Sequence, residues 1–166
     1  MAAPKRLLEN SRRRAIYDAV REAPGIHMRE LQRRTGLRWG ALQYHTGKLI
    51  GQGLLHAARS GKSRVLACDV HRLSPEQIKG LHLLRRGRAR AVAGALAASR
   101  GATRREVAER SGVHPRIVGD YLRTMLELGF ARAAGPAPRT YHPTARLGEA
   151  LARLDGAGPR ERGERR

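Results

Sequence analysis

Residues 27–54, HMRELQRRTGLRWGALQYHTGKLIGQGL, align without a gap on residues 103–130, TRREVAERSGVHPRIVGDYLRTMLELGF, at an offset of 76. Arg29 meets Arg105, Glu30 meets Glu106, Arg34 meets Arg110, Gly36 meets Gly112 and Gly53 meets Gly129. Apolar positions pair as Leu31/Val107, Leu37/Val113, Leu42/Val118, Leu49/Met125 and Leu54/Phe130. The register extends upstream through Ile16/Val92 and Val20/Leu96, so the repeating unit includes a preceding helix. Solenoid periods run at roughly 20–50 residues, and a longer period means duplicated domains. The 166 residues then divide into two small domains with thin cores, with one Phe and one Trp in the whole chain to fill them.

Within the first repeat, Asn10 or Ser11 caps a helix to about Ala23, which Pro24-Gly25 stops. A second helix is expected from Met28 to Thr35, with Gly36 as the turn and a third helix from about Arg38. Thr103-Arg104-Arg105-Glu106 is a capping box at the matching place in the second repeat, where the first has His27. Leu54–Arg59 and Arg64–Cys68 read as a hairpin across Ser60-Gly61-Lys62-Ser63. That Gly-Lys-Ser is no P-loop, because His56 stands where the motif needs glycine. Ser74-Pro75-Glu76-Gln77 opens a further helix with Ile78, Leu81 and Leu84 on one stripe. It either runs into the second repeat's first helix, about Arg88–Ser99, or breaks near Gly87. The second ribbon is expected at Phe130–Ala133 and Arg139–Tyr141, before a last helix from Thr144 to Leu154 with Leu147, Leu151 and Leu154 on one face. Domain bounds follow: 1–73 and 88–155, a linker helix at 74–87, and a disordered basic tail at 156–166.

Charge narrows the partner. The chain has 34 basic and 14 acidic residues, a formal net charge of +20, which suits a polyanion. All but Lys5, Lys48, Lys62 and Lys79 of the basic residues are arginine, whose planar fork fits phosphate and guanine; GC-rich coding also yields that bias. One cysteine, Cys68, excludes an internal disulfide framework and fits a reducing cytosol. Cys68 and His71 lack the second ligand pair a structural zinc needs, so no metal and no cofactor is expected. MAAPKRLL carries no export core, and no run approaches the ~18 apolar residues of a membrane span, so a soluble, cytoplasmic, nucleoid-associated protein is expected. No nucleophile, base and orienting residue stand at motif spacing, and no enzyme is expected.

Helix, helix, turn, helix and two-stranded ribbon, used twice, is the winged helix-turn-helix plan. The expected class is mainly α with small β-hairpin wings (α+β), two tandem winged helix-turn-helix domains joined by a linker helix. Both repeats resemble the winged helices of prokaryotic transcription regulators of the MarR and ArsR type. The phrase Thr35-Gly36-Leu37-Arg38-Trp39-Gly40-Ala41-Leu42-Gln43-Tyr44-His45 is especially similar to small archaeal regulators. The resemblance implies double-stranded DNA as partner, with the third helix in the major groove and the ribbon tip on the backbone or minor groove. Leu37, Leu42 and Leu49 then face the core, leaving Arg38, Trp39, Gly40, Gln43, Tyr44 and Lys48 outward. Gln43 suits adenine, Arg38 guanine or phosphate, and Tyr44 a phosphate; Trp39 and Tyr44 are alternatively packing residues, as is His45. Arg59, Lys62 and Arg64 charge the wing.

The second repeat suits a groove less well. Its matching positions are His114, Pro115, Arg116, Gly119, Asp120 and Thr124, with Arg123, Arg132 and Arg139 as further secondary DNA contacts, and Asp120 replaces Tyr44. Residues 1–73 hold 15 basic and 5 acidic residues, against 9 and 6 in 101–155. The first repeat is therefore expected to dominate. Three functions stay open: a sequence-specific transcription regulator, a nucleoid protein of little sequence preference, and a tandem interaction subunit, which an exposed apolar patch at Ile78, Leu81 and Leu84 would support; the stripe these three make is expected to pack against something. A homodimer would use the linker helix or the last helix.

Overall fold

Helix α1 (Ser11–Glu22) starts where the Asn10 side chain accepts a hydrogen bond from the Arg13 amide at 3.2 Å, and it buries Ile16 and Val20. The computed structural model describes residues 6–68 and 73–156. His71 and the tail beyond Gly156 lie outside them. After α1 come strand β1 (Ile26–His27), α2 (Met28–Thr35) and α3 (Trp39–Gly51), then the hairpin of β2 (His56–Ser60) and β3 (Ser63–Ala67). His27 caps α2: its Nδ1 accepts from the Glu30 amide at 3.2 Å, the service a Ser or Thr hydroxyl usually performs. Gly36 closes α2 at φ 66°, a left-handed turn that side chains disfavour.

The hairpin departs from the expected two-stranded ribbon by gaining a third strand. The sheet order is β1-β3-β2, with Ile26 opposite Leu66 and His27 opposite Val65. The chain can turn into β1 because residue 25 is glycine. Its φ is 80°, and a Cβ there would overlap the backbone of Leu81 and His82. The first wing strand also starts later than its composition suggests. The Leu54 and Leu55 amides both bond to the Leu49 carbonyl, at 2.9 and 3.3 Å, so these residues finish α3 instead of opening β2. Ile16, Val20, Ile26, Leu31, Leu42 and Leu66 lie in one buried cluster.

Helix α4 (Pro75–Leu84) opens with a reciprocal cap, the Ser74 amide on Gln77 Oε1 at 2.8 Å and the Gln77 amide on Ser74 Oγ at 3.2 Å. It ends before α5 (Gly87–Ala97), so the two are separate helices. Ile78, Leu81 and Leu84 are all at or below 1 % exposure. The stripe is packed, as its place on one helix face suggests, so no exposed apolar patch stands at these three residues. The chain divides into two compact units, with the boundary between His82 and Leu83.

The second unit contains α5, β4 (Ala102–Thr103), α6 (Arg104–Ser111), α7 (Pro115–Glu127), β5 (Ala131–Ala134), β6 (Thr140–Pro143) and α8 (Ala145–Gly156). The 76-residue offset relates β1 to β4, α2 to α6 and α3 to α7 end for end. The capping box forms, with the Thr103 amide on Glu106 Oε2 at 2.7 Å and the Glu106 amide on Thr103 Oγ1 at 3.3 Å. The Thr103 amide, and the Thr103 hydroxyl at 2.9 Å, both donate to the Glu106 carboxylate and hold its pKa below the ordinary value. The second sheet has order β4-β6-β5, again one strand more than expected, and both hairpin strands start one residue later. Here the repeat register ends: a two-residue turn, Gly61-Lys62, joins β2 to β3, and residues 135–139 join β5 to β6. Leu147, Ala150 and Leu154 bury one face of α8, with Leu151 half-buried beside them. The fold is two winged helix-turn-helix units, mainly helical, each with a small antiparallel sheet.

Candidate nucleic-acid interface

Helix α3 divides by periodicity. Leu42, His45, Thr46 and Leu49 point inward and are buried, with Leu37 half-buried before them. Arg38, Trp39, Gly40, Gln43, Tyr44 and Lys48 are all exposed. Trp39 and Tyr44 are the exposed large hydrophobics among the described residues, at 42 % and 60 % exposure. His45 is the packing residue of the group. Lys48 Nζ stands 5.7 Å from the Tyr44 ring centre, a cation–π distance that holds the two heads side by side on the outer face. Arg38 occupies the N-cap without a side-chain cap bond, so its guanidinium is not engaged by the helix end.

The wing adds charge in an arrangement that costs the free protein energy. Arg59 and Arg64 are directly opposite in the β2–β3 register, both exposed, with Lys62 at the turn beyond them. Like charges facing each other across a ladder repel. Among the described residues, no carboxylate pairs with Arg29, Arg33, Arg38, Lys48, Arg59, Lys62 or Arg64, whereas Arg34 is satisfied by Glu30 at 3.0 Å. A polyanion relieves that repulsion.

Between α2, the first turn of α3 and the wing lies an open groove of about 520 Å³, lined by Arg29, Trp39, Gln43, Lys62 and Arg64 among others. A second hollow, which also includes Trp39, is lined by Arg29, Gln32 and Arg33. Neither lining includes a carboxylate. Reading from the sequence overlooked Arg29, Gln32 and Arg33. Their signal is the spacing of Arg29 and Arg33, four apart on the polar side of a short helix.

The second unit presents a different face. His114, Pro115, Arg116 and Asp120 are exposed, as are Arg132 and Arg139 on its hairpin. Gly119 and Thr124, expected outward, are half-buried. The Arg104 side chain lies over Gly119, with its Cδ 3.4 Å from where a Cβ would sit, and the Thr124 hydroxyl turns back to donate to the Asp120 carbonyl at 3.1 Å. Arg123 sits 3.9 Å from Asp120, so part of this face is neutralised by its own carboxylate. His114 Nδ1 accepts from the Arg116 amide at 3.3 Å, tying that ring to the helix cap.

Behind α3, the Tyr17 hydroxyl bonds to half-buried Cys68, which together with burial pushes the phenol up to about 12.

A helix pair joined by a glycine turn, with its second helix outward beside a basic wing, defines the class: a winged helix-turn-helix unit. Residues 10–68 match the family model described as an N-terminal helix-turn-helix domain, and they form a helix-turn-helix DNA-binding domain. No curated protein matches the chain. Among the described residues, no helix is long and apolar enough to cross a membrane.

Proposed function

We propose that this protein is a sequence-specific transcription regulator, acting on the nucleoid in the cytoplasm, that binds double-stranded DNA chiefly through its first unit. The observation carrying the reading is the outward face of α3 and the wing, where hydrogen-bonding Gln43 and Tyr44 stand among cations that no carboxylate pairs with. Phosphate contacts from Arg59, Lys62 and Arg64 set the register, and base-edge contacts from Arg38 and Gln43 supply the discrimination. The resemblance to MarR and ArsR regulators supports the same docking. The self-paired Asp120 and Arg123 make the second unit a weaker contact, through His114, Arg116, Arg132 and Arg139. No catalysis is part of this reading.

A net charge of +20 on 166 residues favours a second reading, a chromatin protein that coats DNA through phosphates alone. The ratio of specific to nonspecific affinity separates the two. Genome-wide occupancy identifies an enriched duplex, and its affinity is compared with that of a scrambled duplex at physiological salt. A regulator gives a ratio of about 10³–10⁷; a ratio near unity assigns the chromatin role.

A further inference from the structure

The sequence has one tryptophan, Trp39, and the fold places it in the first turn of α3 with much of its indole in solvent. It lines both hollows together with Arg29, and Lys62 and Arg64 line the first of them and Arg33 the second.

A paired duplex uses such a ring poorly. Base faces inside a duplex are stacked on each other, and the grooves offer only base edges, to which an indole contributes a single N–H donor. An unpaired base offers a whole face, and stacking on an aromatic side chain is tolerant of sequence because every base has one. The cations that share the two hollows with the ring are placed to hold the strand beside that base. From the exposed ring and these cations, we infer that Trp39 is a base-stacking platform, and that the first unit binds DNA containing an unpaired base in preference to a fully paired duplex. This rests on the DNA-binding reading above.

The test uses the full chain and the intrinsic fluorescence of Trp39, with a mixed-sequence duplex and the same duplex carrying a central mismatched bubble, at one salt concentration. The bubble is expected to quench Trp39 emission more strongly and to bind about tenfold more tightly. In Trp39→Ala the ratio of the two affinities falls to about one, and Trp39→Phe keeps part of it. Equal affinity with equal quenching means that the indole touches a groove edge, which overturns the stacking platform and leaves duplex binding standing. Equal affinity with no quenching also overturns it. Failure to bind either DNA overturns the DNA-binding reading itself.

Discussion

Two buried side chains of α3 show how a single residue sets the stability of the reading helix. Thr46 is 1 % exposed, and among the described residues its hydroxyl has no hydrogen-bond partner. A buried polar group left unpaired costs about 1–3 kcal/mol. Thr46→Val keeps the shape and removes the hydroxyl, so it should stabilise the first unit by about 1 kcal/mol, measured as a higher urea midpoint at unchanged slope. A lower midpoint would show that the hydroxyl is used. His45, also buried, has no partner at Nδ1 among the described residues. Burial, and then the nearby Arg12 and Arg13, hold its imidazolium pKa below the ordinary 6.5. The folded state keeps the ring neutral, while the unfolded chain takes up a proton as pH falls below about 6.5. Stability should therefore be level above that pH and decline below it, down to the folded-state value. Thermal melts across this range should show a flatter decline for His45→Leu; an unchanged decline would assign it to other groups.

At the scale of elements, α3 is continuous from Trp39 to Gly51 in spite of Gly47 near its middle. Gly47 is exposed, with open space where a Cβ would stand. Gly47→Ala should stabilise the free protein by about 0.8–1.0 kcal/mol. It lies one turn beyond Gln43 and Tyr44 on the outer face, so the added methyl should also weaken duplex binding several-fold by holding the helix off the groove. A stabilised protein with undiminished binding would show that the glycine is merely tolerated. Helices were legible because caps and glycine turns are local chemistry: Asn10, His27, Ser74 and Thr103 each make the bond their position suggests. The short strands β1 and β4 were not. Two-residue strands carry no period, and Ile26 is extended because of its partner Leu66, forty residues away in the chain. The wing bounds shifted for a similar reason, since Leu54 and Leu55 answer to the end of α3 and not to their own β propensity.

At the scale of the molecule, the repeat disclosed two like units, and the inward leucines of the first unit's third helix were readable from the winged-helix resemblance and their helical spacing. Exposure of Trp39 and Tyr44 was not, since aromatic residues at helical spacing serve a core equally well. The grooves lined by Arg29 and Arg33 arise from α2, α3 and the wing meeting in space, which spacing along the chain does not express. The buried Ile78, Leu81 and Leu84 show the converse: a stripe legible in sequence, whose cover lies elsewhere in the fold. The central claim is that duplex DNA is held mainly by the first unit's α3 and wing. Salt-dependent duplex binding by two triple variants tests it most directly, with Arg38, Lys48 and Lys62 neutralised in one and Arg116, Arg123 and Arg132 in the other. The first variant should lose most of the affinity, with a salt slope shallower by about 0.9 for each phosphate contact removed. The second should stay close to the unaltered protein. Equal losses in the two variants, or a larger loss in the second, would contradict it.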